Sequence, residues 1–195
     1  MPITDTFVSV VAPLHDAGAW VESFITETAQ LLRGHYANYE LIVVDDGSRD
    51  DTVARVDALL KQHACIRLIR LSRSFGTEVA ISAGLDSVIG DWVVVMLPER
   101  DPPELIPEMV QKARSSQRVQ LGVTKSRKGQ PLSTRLFTSI FYSIAIRVFH
   151  LPLTPDATHF SVLHRQAVNA ITAIKDRFRY LRLSTATVGF AAEPF

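Results

Sequence analysis

The sequence predicts an α/β fold with a mostly parallel sheet and helices on both faces, and three observations support this prediction. Runs of apolar, mostly β-branched residues recur along the first half of the chain, as is typical of strands buried on both faces. Segments whose apolar residues repeat with helical spacing follow the first three of these runs. The resulting alternation of strands and helices predicts parallel strands joined by helical crossovers.

The first half of the chain is predicted to contain four strands and three helices. The strands cover 7–12, 39–44, 66–71 and 91–97, and the helices cover about 17–32, 51–63 and 77–88. Asp16 is expected to cap the first helix and either Asp51 or Thr52 the second, because such side chains accept the free N–H groups of a helix start. Gly76 and Gly90 flank the third helix and mark its two ends.

The second half is predicted to add two helices and two strands. The helices cover 105–115 and 165–174, a short strand covers 120–125, and a loop from 154 leads into a strand ending near 163. Pro102 and Pro103 preset the backbone for entry into the first of these helices. We expect residues 1–125 and residues 126–195 to be two parts of one domain.

The segment 133–151 carries a broad apolar face flanked by arginines. It could pack on the sheet as an ordinary helix, or it could lie on an anionic membrane surface as an interfacial helix. It could also pair with a second copy of the chain and so form a homo-oligomer. The last residues, 188–195, resemble neither a helix end nor a polar tail, so we expect the native chain to continue past Phe195 or to have been cut there.

Composition bounds the function classes. The chain has 195 residues, 47% of them hydrophobic, and a formal net charge of +1, which gives no indication of nucleic-acid binding. Its single cysteine, Cys65, excludes an internal disulfide and a cysteine-based zinc site. No apolar run approaches the roughly 20 residues that span a bilayer, and no signal peptide is evident. We therefore expect a cytoplasmic protein, with peripheral contact at the inner face of the membrane as an open alternative.

The second predicted strand ends in two adjacent carboxylates, Asp45 and Asp46, followed by Gly47 and Ser48. In an open α/β sheet, ligands bind at the carboxyl ends of the strands. Two carboxylates at that edge can accept hydrogen bonds from the N–H and hydroxyl groups of a base and a ribose. The alternative is that both residues only build a turn and cap the next helix.

Several motifs in this order resemble family-2 glycosyltransferases with the GT-A (Rossmann-like) fold, in particular the dolichol-phosphate mannose synthase and bactoprenol (undecaprenyl-phosphate) glucosyltransferase group. Each motif alone is weak, but their common order is specific. The motifs are Val10-Val-Ala-Pro13, Val43-Val-Asp-Asp-Gly-Ser48, Arg73-Ser-Phe-Gly76, Ala83-Gly-Leu85, Gly90-Asp91, Asp101-Pro-Pro-Glu-Leu-Ile-Pro-Glu-Met109, Ser126-Arg-Lys-Gly129 and Phe141-Tyr142.

The resemblance implies an inverting sugar transferase that uses a nucleotide-sugar donor and a polyprenyl phosphate or a glycan as acceptor. It implies that residues 1–125 form the nucleotide-sugar-binding half and residues 126–195 the acceptor side of the same domain. It also implies that Asp45 contacts the base, and that the segment from Arg73 to Gly84, which includes Gly76, lines the nucleotide and sugar pocket. The other implied substrate-binding residues beside that pocket are Pro13, His15, Asp16 and Asp46. It also implies Mg²⁺ or Mn²⁺, held by an Asp-x-Asp motif after the fourth strand to neutralise the diphosphate.

At the metal motif the sequence departs from the family. Met96-Leu-Pro-Glu-Arg-Asp-Pro-Pro-Glu104 has lost the first Asp and one residue. Glu99 and Asp101 could still form a displaced metal site, since both offer hard oxygen ligands. Alternatively, Arg100 could meet the diphosphate directly and replace the cation. The third option is that Glu99 and Arg100 are solvated loop residues.

The acceptor side departs as well. Where the family carries an Asp near the acceptor, this chain has His159, which could act as a general base. Asp156 remains a second catalytic candidate, although it could equally cap its loop. Arg179, with Arg177 and Arg182 in the same basic segment, could hold a lipid phosphate or could be ordinary surface charge. Arg127 in the basic loop is a further substrate-binding candidate.

Three functions are therefore compared. The leading one is the sugar transferase. A catalytically inactive relative that binds a nucleotide-sugar or a partner enzyme would also show an altered Asp-x-Asp motif and a lost acceptor Asp. A nucleotidyltransferase is weaker, because no glycine-rich, lysine-containing loop follows the first strand.

Overall fold

The computed structural model describes residues 3–123, 157–174 and 190–195. The strands of this part of the chain are β1 Thr4–Leu14, β2 Tyr36–Asp45, β3 Ile66–Arg70, β4 Trp92–Val95, β5 Val119–Val123, β6 Ala157–His164 and β7 Ala192–Pro194. Its helices are α1 Val21–His35, α2 Thr52–Leu60, α3 Thr77–Leu85, α4 Ile106–Ser116 and α5 Arg165–Ala173, with a 3₁₀ turn at Pro103–Leu105. The predicted segment 133–151 and the candidates Arg127, Asp156 and Arg179 lie outside the described residues.

The strands form one seven-stranded sheet in the order β3-β2-β1-β4-β6-β5-β7. β1 pairs in parallel with β2 and β4, and β2 pairs in parallel with β3. β6 runs antiparallel to both of its neighbours, β4 and β5. The prediction of a mostly parallel sheet is confirmed, and the antiparallel strand lies between two strands that are consecutive in the sequence.

Helices cover both faces of the sheet, as the sequence predicts. Alternate residues of the strands point to opposite faces. Val10 and Val94 belong to a core that contains the buried residues of α1, α2 and α4. Val11 and Val93 belong to a second core with those of α3 and α5. The continuous apolar runs in β1, β2 and β4 thus reflect strands that are buried on both sides.

The parallel strands place their carboxyl ends at one edge of the sheet. Leu14, Asp45, Arg70 and Val95 end β1, β2, β3 and β4 there. Because β6 is antiparallel, its first residue, Ala157, lies at this same edge. Among the described residues, no helix is long and apolar enough to cross a membrane.

The start of α5 depends on a histidine whose ring must stay neutral. His164 is the N-cap, and its Nδ1 atom accepts the N–H of Ala167 at 3.1 Å. The ring also makes edge-on contacts with Trp92 and Phe190, at centroid distances of 6.1 and 4.6 Å. Burial lowers the pKa of His164 below its ordinary value of 6.5. A protonated ring would have no lone pair with which to accept this bond.

We therefore expect the free energy of unfolding to decrease as the pH falls below about 6.5. The folded state disfavours the protonated ring, so this contribution is fully present above the unfolded pKa and is lost as pH falls through the lower folded pKa. Urea titrations between pH 7.5 and 5 measure it. His164→Asn keeps an N-cap that does not titrate and should flatten this part of the pH profile. An unchanged profile in that variant would contradict the assignment.

Candidate functional site

A cavity of about 610 Å³ opens at the carboxyl ends of β2 and β3. Its volume lies within the usual range for small-molecule sites. The wall is built from the turn after β2, the turn after β3, the loop after β1 and the start of α2. Its lining residues are His15, Asp16, Asp45, Gly47, Ser48, Arg49, Val53, Arg70, Leu71, Ser72, Arg73 and Ser74.

Asp45 supplies a buried carboxylate to this wall. The residue is 3% exposed, and its two carboxylate oxygens lie 3.3 and 3.4 Å from the Ser48 nitrogen. Within the described residues this N–H is the one hydrogen-bond donor to the carboxylate, and both distances are long. The carboxylate therefore retains acceptor capacity for N–H or O–H groups of a ligand.

Asp46 lies behind the wall and holds the segment after β3 in place. It is 5% exposed, and its carboxylate accepts hydrogen bonds from Ser74 Oγ at 2.8 Å and from the Phe75 and Gly76 nitrogens at 2.7 and 2.9 Å. A carboxylate with three such donors is already well satisfied. The structure places Asp46 as a residue that positions the cavity wall, outside the cavity lining itself.

Gly47 allows the two turns to approach each other. Its φ angle is +70°, which favours glycine. A Cβ atom built here would lie 2.5 Å from the Ser74 nitrogen and 2.7 Å from Arg73 Cα. Gly76, which precedes α3, also has a positive φ of 95°. The backbone of the segment 73–76 is thus fixed by Asp46 and by close contact with Gly47.

The loop after β1 contacts the turn after β2 through side chain-to-backbone bonds. The Asp16 carboxylate accepts the Arg49 N–H at 2.7 Å, and Ser48 Oγ accepts the Asp16 N–H at 2.9 Å. His15 Nδ1 lies 2.8 Å from the Asp46 carbonyl oxygen. His15 and Asp16 therefore belong to the cavity wall. Pro13 is buried within β1 and is absent from the lining.

The predicted cap of the first helix is wrong, and the predicted cap of the second is confirmed in position only. α1 begins at Val21, four residues past the expected start, with Trp20 at the cap position. Asp16 instead has a φ of 48° and is engaged by the neighbouring turn. Asp51 is the cap residue of α2 but makes no capping hydrogen bond, since its carboxylate pairs with Arg55 at 2.7 Å.

Three arginines give the cavity wall an excess of positive charge. Arg49, Arg70 and Arg73 line the cavity and are exposed. The described carboxylates form no ion pair within 4 Å with any of the three; the Arg73 guanidinium instead lies 4.9 Å from the centre of the Phe75 ring. Guanidinium groups that are free of protein partners can make bidentate hydrogen bonds to phosphates. The wall suits an anionic ligand.

The predicted metal pair lies after β4, where neither residue lines the cavity. Glu99 and Arg100 are exposed, whereas Asp101 is 8% exposed and accepts the Leu97 N–H at 2.7 Å. Burial raises the pKa of Asp101, against the opposing effects of the Leu97 hydrogen bond and of nearby His159 and Arg100. The Asp101 carboxylate thus stabilises the loop in which it lies.

The described residues do not fit a resident metal ion. Among them, no group of three or more His, Cys, Asp or Glu side chains is arranged to hold one. The Asp-x-Asp motif that the resemblance implies would supply two carboxylates to a metal shared with a bound diphosphate. Asp101 is committed to the Leu97 N–H, which leaves the exposed Glu99 alone in this loop.

His159 lies in β6 and is paired with a residue that the sequence analysis did not identify. Its Nε2 atom is 2.9 Å from Oε1 of Glu78, in the first turn of α3. The two side chains are 18% and 26% exposed, so the pair is only partly open to solvent. The sequence signal that could have identified Glu78 is its position at the start of a predicted helix, two residues after Gly76.

Comparisons with known proteins agree with this architecture. A family model described as Glycosyl transferase family 2 matches residues 9–172. An uncharacterized glycosyltransferase from Synechocystis is 30% identical over 184 residues, covering 94% of this chain and 58% of its own. Undecaprenyl-phosphate 4-deoxy-4-formamido-L-arabinose transferase from Pseudomonas fluorescens is 27% identical over 177 residues, covering 89% of this chain and 51% of its own. The chain thus spans little more than half the length of these relatives.

A solved structure shares the fold. Glucosyl-3-phosphoglycerate synthase from Mycobacterium tuberculosis, in complex with Mn²⁺, uridine diphosphate and glucosyl-3-phosphoglycerate, matches with a TM-score of 0.59 and 21% identity. The match covers 85% of this chain and 59% of that one. The GT-A architecture expected from the sequence is confirmed by this likeness.

Proposed function

Because the chain belongs to glycosyl transferase family 2, we propose that it moves a sugar from a UDP- or GDP-sugar to a prenyl phosphate or a glycan, with inversion at the anomeric carbon. The Pseudomonas relative is named for transfer to undecaprenyl phosphate, which supports a lipid-phosphate acceptor. Such an acceptor would bring the protein to the inner face of a membrane. The segment 133–151, a candidate for that contact, lies outside the described residues.

The cavity at the ends of β2 and β3 is the observation that carries this proposal. It combines a buried carboxylate, Asp45, with three arginines that have no described carboxylate partner. A nucleotide-sugar has the complementary groups, since its base carries N–H donors and its diphosphate carries negative charge. Asp45 accepts from the base, and the guanidinium groups meet the diphosphate.

Transfer needs an acceptor oxygen opposite the leaving diphosphate. That oxygen forms a bond to the anomeric carbon while the bond from this carbon to the diphosphate oxygen breaks. Guanidinium N–H groups aimed at the diphosphate stabilise the charge that develops as it leaves. The leaving group departs as a nucleoside diphosphate.

His159 is the acceptor-side candidate, and Glu78 holds its imidazole by the 2.9 Å contact. A hydroxyl acceptor must lose a proton as it attacks, and a histidine oriented by a carboxylate can take it. A phosphate acceptor is already ionised and needs no such base. His159→Gln activity with the two acceptor classes would therefore separate these roles.

We expect Asp45→Asn to weaken UDP or GDP binding by roughly tenfold or more, because a hydrogen bond to a charged acceptor contributes about 1.5–3 kcal/mol. Calorimetric titration with UDP, GDP and a panel of their sugars measures this loss and identifies the base. Asp57→Asn, on the exposed side of α2, is the matched control and should bind as the parent does. If Asp45→Asn binds every nucleotide in the panel with the affinity of the parent protein, the assigned contact is wrong.

A further inference from the structure

Building on the donor site proposed above, we propose that this chain binds the diphosphate part of its nucleotide donor without a divalent cation. Arg49, Arg70 and Arg73 would take the place of the metal. The ligand class is a nucleoside diphosphate or its sugar ester. The proposal concerns how the negative charge of this ligand is neutralised.

The carboxylates after β4 give the first reason to expect binding without a cation. Asp101 is buried and accepts the Leu97 N–H at 2.7 Å, so turning it toward a cation would leave that N–H without its partner. Glu99 is exposed and lies two residues away. The described part of the chain holds no cluster of three metal-ligating side chains.

The charge of the cavity wall gives the second reason to expect binding without a cation. Arg49, Arg70 and Arg73 face two acidic lining residues, Asp16 and Asp45. The Asp16 carboxylate accepts the Arg49 N–H, and Asp45 is buried. The arginines outnumber these two carboxylates by one, and their guanidinium groups can make bidentate hydrogen bonds to the oxygens of a diphosphate.

The backbone that carries these arginines is already held in place, which gives the third reason. Arg70 is the last residue of β3 and is in register with Asp45. Arg73 precedes the segment that Asp46 holds through three hydrogen bonds. The Arg49 N–H is bonded to Asp16. Little backbone ordering is therefore left for the ligand to induce, which favours binding.

The test is calorimetric binding of UDP and of uridine at fixed ionic strength, in EDTA and in Mn²⁺. GDP and guanosine replace them if GDP is the preferred nucleotide. We expect the UDP affinity to be the same in the two buffers and to fall as salt is added. Arg70→Ala and Arg73→Ala should each weaken UDP binding in EDTA by roughly tenfold. Uridine lacks the diphosphate, so its affinity for these variants should equal its affinity for the parent protein. Lys61→Ala, at the exposed end of α2, is the matched control.

The outcomes separate this proposal from the proposed function. UDP binding that requires Mn²⁺ and is lost in Glu99→Gln or Asp101→Asn would overturn metal-free binding and leave the donor site intact. Arginine variants that bind UDP as the parent does in EDTA would also overturn it. A folded protein that binds no nucleotide in either buffer would overturn the donor site itself. Metal-independent binding with loss in the arginine variants supports both.

Discussion

Replacing Gly47 with alanine is expected to abolish nucleotide binding and to lower the free energy of unfolding by about 2–4 kcal/mol. The backbone at Gly47 has a φ of +70°, which strains any residue with a Cβ atom. The added carbon would also lie 2.5 Å from the Ser74 nitrogen and 2.7 Å from Arg73 Cα. Since both neighbours are backbone atoms, no rotation of a side chain relieves the contact. The turn after β3 must move, and Arg73 moves with it.

Urea unfolding and UDP calorimetry of Gly47→Ala measure the two effects. Gly34→Ala is the matched control, because a Cβ atom there meets nothing within 4 Å and the residue lies inside α1. Alanine is the better helix former, so this control should be neutral or more stable by up to about 1 kcal/mol. A Gly47 variant as stable as the Gly34 variant, with parental UDP affinity, would show that the two turns are not fixed against each other.

Replacing Glu40 with alanine is expected to lower the free energy of unfolding by about 2–4 kcal/mol. This side chain is 5% exposed and lies in β2, five residues before Asp45. Its Oε1 atom accepts Ser9 Oγ–H at 2.6 Å and the Ile89 N–H at 2.8 Å, and its Oε2 atom accepts from Arg67 at 3.1 Å. Removing the carboxylate leaves the buried Ser9 hydroxyl and the partly buried Ile89 N–H without this acceptor.

Thermal and urea unfolding measure this loss. Glu40→Gln keeps one acceptor oxygen and should fall between the parent and the alanine variant. Glu27→Ala on the exposed face of α1 is the control, for which we expect a change within about 0.5 kcal/mol. UDP affinity should persist in the Glu40 variants while they remain folded, because the network lies away from the cavity. A Glu40→Ala variant that is as stable as the parent protein would contradict the assigned network.

The sequence was sufficient for the parallel core of the sheet. β-branched runs that end abruptly in turn residues identified β1, β2 and β4, since burial on both faces requires continuous apolar segments. The helix starts were less predictable. Asp16 has the chemistry of a cap, but a partner 33 residues away, the Arg49 N–H, engages it instead. Local propensity carries no information about such a contact.

The candidate site was likewise predicted only in part from the sequence. The residue pattern placed two carboxylates, Asp45 and Asp46, at the end of β2 without distinguishing them, and only the family resemblance singled out Asp45. The structure separates them because successive side chains of an extended backbone point in opposite directions. Asp45 faces the cavity and Asp46 holds the segment behind it. The pairing of Glu78 with His159, 81 residues apart, was likewise invisible in the sequence.

The order of residues alone thus determined which segments are buried strands, at which edge of the sheet the candidate site lies, and which family the chain resembles, because these follow from local pattern and motif order. Only the tertiary structure decided that β6 enters between β4 and β5 and that Asp101 turns onto the Leu97 N–H. It also brought Arg49, Arg70 and Arg73 to one wall. Each of these depends on contacts between residues that are brought together by folding, where competition among partners selects one arrangement.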